Sequence, residues 1–182
     1  MRFVGIDPSL SRTGFCALSD GVTVIRHKVT SVKNPVLDRQ VEVVTAAREF
    51  VQKGDIVLLE DFGIAARFAL SGRFVERIEI CGMLKLVLPA ICAVPLLVVP
   101  PTMLKSFVVG NGRADKEAMV KAVESKWGIC VSCDDEADAF GLAALGRAFF
   151  NGEKIKTSVL SKFAVYGSNR RAINKIKFLG II

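Results

Sequence analysis

Four acids stand where chemistry could be done: Asp7, Glu60, Asp135 and Asp138. Asp7 ends the apolar run Phe3-Val4-Gly5-Ile6 and is followed by Pro8-Ser9 and Arg12-Thr13-Gly14, while Glu60 ends Ile56-Val57-Leu58-Leu59. Asp135 and Asp138 open an alanine-rich stretch, and their i, i+3 spacing puts both on one face of a helix. Carboxylates gathered within a few ångströms cannot all ionise unaided, so such a cluster calls for cations. Hard oxygen donors suit magnesium, with manganese able to substitute. Two ions roughly 4 Å apart would activate a water on one side of a phosphodiester and stabilise the leaving oxygen on the other. In that arrangement Asp7 bridges, Glu60 completes one ion's shell, and Asp135 with Asp138 completes the other's. Lys105 or Lys116 would stabilise charge on the attacked phosphate. Singly, the acids have plainer readings: Asp7 before Pro8 as a turn former, Asp135 as a helix N-cap. Asp134, at i, i+4 from Asp138, is a rival to Asp135. Glu60 is harder to dismiss, because a glutamate after four apolar residues would be buried without a partner.

The elements that must position these acids are legible in outline. Arg2 to Asp7, Thr13 to Leu18 and Val22 to Thr30 read as an antiparallel meander, with turn residues Pro8-Ser9 and Asp20-Gly21 between them. Val36 to Lys53 has a helical rhythm, with Val36, Leu37, Val41, Val44, Ala47 and Val51 on its apolar face. Ile56 to Glu60 reads as a buried strand, Phe74 to Leu88 as a helix and Leu96 to Val99 as a strand. Lys116 to Trp127 reads as a helix, and a last helix runs from Asp134 or Asp135 to about Phe149. Three antiparallel strands followed by alternating strands and helices imply an α/β fold, a mixed sheet with helices on both faces.

With 182 residues, 51% of them apolar, the chain can bury a sizeable core. Asn151-Gly152 marks the boundary between a body of residues 1–150 and a tail of residues 151–182. From Glu153 onward the tail holds seven basic side chains against that single acid, so it carries +6 of the formal +7. A near-neutral body with a basic tail is the footprint of a polyanion binder, and nucleic acid fits better than a membrane surface. Ile80 to Pro101 is apolar enough to suggest a membrane span, but Lys85 interrupts it and Pro89 and Pro95 break it. A buried helix and strand account for it, and no membrane partner is expected. The five cysteines do not form a disulfide framework. Cys130-x-x-Cys133 has the spacing of half a zinc site, but there is no second pair and the only histidine, His27, is remote in sequence. The thiols therefore read as reduced cysteines of a cytosolic protein.

Gly5-Ile6-Asp7-Pro8-Ser9 with Thr13-Gly14, Leu59-Glu60-Asp61, Val108-Val109-Gly110-Asn111-Gly112 with Lys116, and Asp135-Glu136-Ala137-Asp138-Ala139 occur in that order. Together they resemble the RuvC family of Holliday junction resolvases, from residue 2 to about residue 148. The resemblance implies an RNase H-like fold with a mixed five-stranded sheet, a homodimer, and magnesium-dependent nicking of paired strands at four-way DNA junctions. It implies Asp7, Glu60, Asp135 and Asp138 as catalytic acids holding two ions, and Lys105 and Lys116 as catalytic-domain lysines. The family's junction wedge, an aromatic in the loop after Glu60, falls at Gly63, with Phe62 and Phe68 nearby as substitutes. The Cys130-x-x-Cys133 pair and the long basic tail also depart from the pattern. These departures resemble the phage-encoded branch, whose members are less particular and cut other branched DNA. The implied location is the cytoplasm of a bacterial cell or a phage-infected host.

DNA contacts are expected from Lys105, Arg113 and Lys116 around the Gly110-Asn111-Gly112 turn, from Phe62 and Phe68, and from Arg170 and Arg171 in the tail. Dimerisation is expected on an apolar ridge of Val75, Ile78, Gly82 and Leu86. Two other functions stay open: a nuclease acting on RNA or RNA–DNA hybrids, which would share every acid, and a catalytically inactive DNA-binding relative. An ATPase of the actin and sugar-kinase type also begins with Gly-Ile-Asp, but needs a duplicated domain that 182 residues cannot hold.

Overall fold

The computed structural model describes residues 1–61, 72–153, 155 and 164–166. Strand β1 (Phe3–Asp7) is buried along its whole length because it is covered on both faces. It pairs antiparallel with β2 (Arg12–Ser19), which pairs antiparallel with β3 (Val22–Val29), an edge strand largely open to solvent. After helix α1 (Val36–Phe50), strand β4 (Ile56–Glu60) returns parallel to β1. Helix α2 (Gly72–Ile91) then leads to β5 (Leu96–Val99), parallel to β4. Helices α3 (Pro101–Val108), α4 (Lys116–Trp127) and α5 (Asp134–Phe150) follow. The expected five-stranded mixed sheet is present, and a short sixth strand, β6 (Ala164–Tyr166), pairs antiparallel with β5. The spatial order is β3-β2-β1-β4-β5-β6.

Two apolar layers sandwich the sheet. On one face Phe3, Cys16, Leu18, Leu58 and Leu97 pack against α5, α3 and α4 through Phe140, Leu145, Leu104 and Met119. On the other, Val4, Ile6, Phe15, Val57 and Leu59 meet α1 and α2 through Val43, Ala47, Ile80, Leu84 and Leu88. Alternate residues of β1 therefore serve opposite cores, as the period of two requires. Ile155, beyond the body-to-tail boundary, also packs against the first layer.

Three local expectations differ from the structure. Pro89 does not break α2, which continues through it to Ile91. Val36, Leu37 and Val41 face solvent, and α1 instead buries Arg39, Gln40, Val43, Val44 and Ala47. The buried polar pair is satisfied: Arg39 donates to Thr30 Oγ1 and to the Leu10 carbonyl, both at 3.0 Å, and Gln40 donates to Glu79 at 2.7 Å. Apolarity alone misjudged a face that polar residues occupy. Helix α3 was not anticipated, because Pro100-Pro101 reads as a breaker. Pro101 in fact opens the helix, where the missing N–H has no intrahelical acceptor to lose.

The position of α5 depends on two glycines. A Cβ on Gly5 would come 2.0 Å from the Ala139 carbonyl oxygen, and one on Gly14 would come 2.0 Å from that of Asp135. Only bare backbone lets α5 lie this close across β1 and β2. The glycines flanking Asp7 in the sequence motif thus bring the helix bearing Asp135 and Asp138 down onto the strand end.

Candidate active site

Asp7 and Glu60 end neighbouring parallel strands whose register sets Ile6 opposite Leu59. Ligand sites of open α/β sheets form at this carboxyl edge. The turn after Asp7 is fixed by Thr13, whose hydroxyl donates to the Ser9 carbonyl at 2.6 Å and accepts from the Ser9 N–H at 3.2 Å. From above, α5 delivers Asp138. Carboxylate oxygens of Asp7, Glu60 and Asp138 lie within 4.8 Å of one another. They line a cavity of about 260 Å³ together with Asp134, Asp135, Arg77, Lys105 and Lys116.

This trio is short of positive charge. Asp7 and Glu60 are only 5% and 4% exposed. Burial raises the Asp7 carboxyl above its ordinary range against the opposing pull of Arg77. Burial, then the charges of Asp7 and Asp138, raise Glu60 well above its own. Asp138 is pushed up to about 7, first by burial and then by Asp7, with Lys105 opposing. Its Oδ1 is buried with no hydrogen-bond partner. An orphaned carboxylate oxygen beside two raised carboxyls fits a cation site. The donor set is all oxygen and fits a hard divalent ion.

The sequence motifs gave no sign of Arg77. It projects from α2, and its Nη2 reaches Glu60 Oε2 at 2.5 Å and Asp7 Oδ1 at 3.2 Å. Its buried Nε has no partner. The only signal in the sequence is one of two arginines in a helix that also carries Glu76, Glu79 and Lys85, and such a charge by itself reads as a surface residue.

Asp135 lines the same cavity but is engaged elsewhere. Arg12 Nε donates to Asp135, and Arg12 Nη2 donates to Asp134 at 3.0 Å. Lys116 Nζ also pairs with Asp134. Asp134 thereby sits below the ordinary carboxylate range: burial pushes up, and the Lys116 hydrogen bond and charge outweigh it. Lys105 donates to the Ala114 carbonyl at 2.7 Å, across the base of the Gly110-Asn111-Gly112 turn. Arg113 is exposed on that turn. Phe62, Phe68, Arg170 and Arg171 lie outside the described residues, as does Gly63.

An RNase H-like sheet with a buried carboxylate centre at its carboxyl edge is the class defined by fold and site. No protein-family model matches the chain. Among curated proteins it is similar to the crossover junction endodeoxyribonuclease RuvC of Prochlorococcus marinus strain MIT 9303, 28% identical over 155 residues, covering 80% of this chain and 97% of the relative. RuvC of Synechococcus sp. strain WH7803 is 27% identical over 158 residues, with the same coverage. Among solved structures, Thermus thermophilus RuvC superposes with a TM-score of 0.57 at 20% identity, over 84% of this chain and 96% of that one. T. thermophilus RuvC in complex with Holliday junction substrate gives 0.59 at 21% identity, over 79% and 90%. The chain aligns with RuvC in sequence along four fifths of its length, and its fold is that of RuvC. Among the described residues no helix is long and apolar enough to cross a membrane.

Proposed function

We propose that this protein is a structure-selective DNA endonuclease that resolves four-way junctions, and other branched DNA, by paired symmetric nicks. The observation that carries the reading is the convergence of Asp7, Glu60 and Asp138 from three separate segments, with Asp138 Oδ1 buried and unpaired. The relatives that support the substrate class are crossover junction endonucleases, one of them solved with Holliday junction DNA.

Asp7, Glu60 and Asp138 would hold magnesium, with Asp135 joining them for a second ion once Arg12 releases it. Manganese could replace magnesium. Bound metal supplies an activated water and stabilises charge on the leaving oxygen. The protein's own residues do the rest. Asp7 and Glu60 are held rigid by the paired ends of β1 and β4. Lys105 and Lys116, which line the cavity, would meet the phosphate that enters it, and Arg77, half-buried, is the counter-charge between the two strand-end acids. Arg113, Phe62, Phe68, Arg170 and Arg171 would contact the DNA arms.

Two symmetric nicks need two sites, so the working unit would be a homodimer. Val75, Ile78 and Leu86 are exposed on α2 by 44%, 36% and 70%, and Gly82 between them leaves open space for close approach. The proposed division places the nuclease body in residues 1–150 and the basic segment in 151–182, of which β6 joins the sheet edge. The cytoplasm of a bacterium or an infected host is the compartment that would supply the substrate.

The test is cleavage of a synthetic mobile four-way junction with magnesium, mapping both strands, beside an RNA–DNA hybrid duplex of equal length. Paired nicks at symmetric positions on the junction are expected. Cleavage of the hybrid alone would overturn the reading.

A further inference from the structure

Outside the catalytic cavity, a second cluster of donors meets at the N-terminus of α5. Remoteness in sequence is not remoteness in space here: His27 sits on β3 directly opposite Gly14, on the sheet face over which α5 begins. The missing side chain at Gly14 lets the first turn of α5 descend to His27. A nitrogen of His27, Cys133 Sγ and a Glu136 oxygen all lie within 4.8 Å of one another. His27 Nδ1 is 2.7 Å from Glu136 Oε1, and the other carboxylate oxygen accepts from the N–H and hydroxyl of Ser132, both at 2.7 Å.

We propose that His27, Cys133 and Glu136 form a zinc site, with Cys130 as fourth ligand. A tetrahedral zinc ion with bonds of about 2.0–2.3 Å spaces its ligands roughly 3.2–3.9 Å apart. The donors here bracket that spacing, so the ion enters by small side-chain adjustments as the His27–Glu136 contact opens. The chemistry is selective, because a nitrogen, a thiolate and a carboxylate favour zinc over magnesium. Ser132 supplies the outer hydrogen bonds that orient a ligating carboxylate. Cys130 is exposed and separated from Cys133 by two residues, the spacing of a zinc knuckle, and would close over the ion. The ion would staple the edge strand β3 to the start of the helix that carries Asp135 and Asp138. It would be structural and separate from the ions of the proposed reaction.

Cobalt(II) titration of the full-length protein tests this, because thiolate–cobalt charge transfer absorbs in the near ultraviolet and carboxylate sites give no such band. One saturating equivalent with that band is expected. The double variant Cys130→Ser with Cys133→Ser should abolish it, and Asp138→Asn, which touches only the nuclease site, should retain it. His27→Gln keeps every thiol and changes only the edge strand. It should weaken cobalt affinity at least about tenfold, which guards against misfolding of the cysteine variant. Absence of the band, its persistence when both Cys130 and Cys133 are serine, unchanged affinity in His27→Gln, or a Cys130–Cys133 disulfide in the purified protein would each overturn the site. None of these outcomes depends on whether junctions are cut.

Discussion

Asp138 and Asp134 stand one turn apart on α5 and have opposite environments. Asp138 faces Asp7 and Glu60 in a buried pocket where Arg77 and Lys105 only partly offset three carboxylates, and its pKa is pushed up to about 7 by burial first. Asp134 sits at the rim beside Arg12 and Lys116 and is held below the ordinary range, as is Glu136 further round the turn. The helix supplies the same residue type at both positions. What differs is burial first, and then direct contact: Arg12 and Lys116 bond to Asp134, whereas Asp138 Oδ1 is buried with no hydrogen-bond partner. A carboxylate already paired by the protein has little left for a metal, whereas one left short of charge gains most from it. On this comparison Asp138, rather than Asp134, would be the first ligand from α5 under the proposed function.

The largest expected effect lies in the under-compensated cluster. Asp7→Asn or Glu60→Gln keeps side-chain size and deletes one ligating charge. Several kcal/mol of transition-state stabilisation should go, slowing junction nicking by about 10³-fold while junction binding is largely retained. Asp134→Asn should cost less than about tenfold, since Lys116 and Arg12 lose only a rim partner. Equal losses in the two sets, measured by single-turnover nicking, would erase the distinction between pocket and rim. Nicking by either pocket variant within about threefold of wild type would remove that residue from the mechanism.

A second effect concerns Arg77, whose guanidinium holds the space between Asp7 and Glu60. A divalent ion bound to those acids competes with it directly. Arg77→Gln should therefore bind manganese more tightly, by roughly tenfold, in calorimetry without DNA. The same variant should be less stable without metal, because two buried acids lose their cation. Unchanged affinity would mean that the ion and the guanidinium do not share partners.

Acid titration sharpens the comparison further. Asp138 has its pKa raised from 3.8 to about 7 in the folded metal-free protein. Between those values the folded state holds a proton that the unfolded chain has released, so stability is highest at the acid end and falls as pH rises towards 7. Asp134, with its pKa lowered, contributes in the opposite sense, losing stability as pH falls below the ordinary carboxylate range. Asp138→Asn should flatten the loss between pH 4 and 7, making the metal-free protein more stable at pH 7 by on the order of 2 kcal/mol. Chemical denaturation at several pH values with chelator present checks this. A wild type with no such decline would show the pocket to be better compensated than its geometry indicates.

Much of this was legible in the chain and some was not, for physical reasons. The strands ending in Asp7 and Glu60 announce themselves, because a buried strand is a continuous apolar run and an acid at its end is conspicuous. Helices α4 and α5 carry start signals, an Asp115 cap on the first and acids in the first turn of the second. Three-dimensional pairing was not legible. Nothing in the sequence says that Arg12 turns to Asp135, that Arg77 reaches across from α2, or that His27 meets Cys133. Those contacts follow from the sheet register and from two glycines whose role is close approach. The buried Arg39 and Gln40 were missed because helix rhythm was counted on apolar residues alone.

The smallest expected effect is the stability contributed by the rim itself. Lys116 is 80% exposed on its side chain, although it pairs with Asp134. Water and salt screen such a pair, and ordering a long side chain offsets much of the attraction, so it stabilises by no more than about 0.5 kcal/mol. Lys116→Ala should leave the denaturation midpoint almost unmoved. Its effect on nicking should be larger, about 10–100-fold, if the ammonium turns from Asp134 to the phosphate as DNA enters. The two measurements read different states of one side chain: stability reports the DNA-free pair, and cleavage reports the phosphate contact. A loss of stability well above 1 kcal/mol would show that the rim pairing is structural. Unchanged nicking would show that Lys116 stays with Asp134 when DNA is bound, leaving Lys105 as the cavity's phosphate-facing lysine.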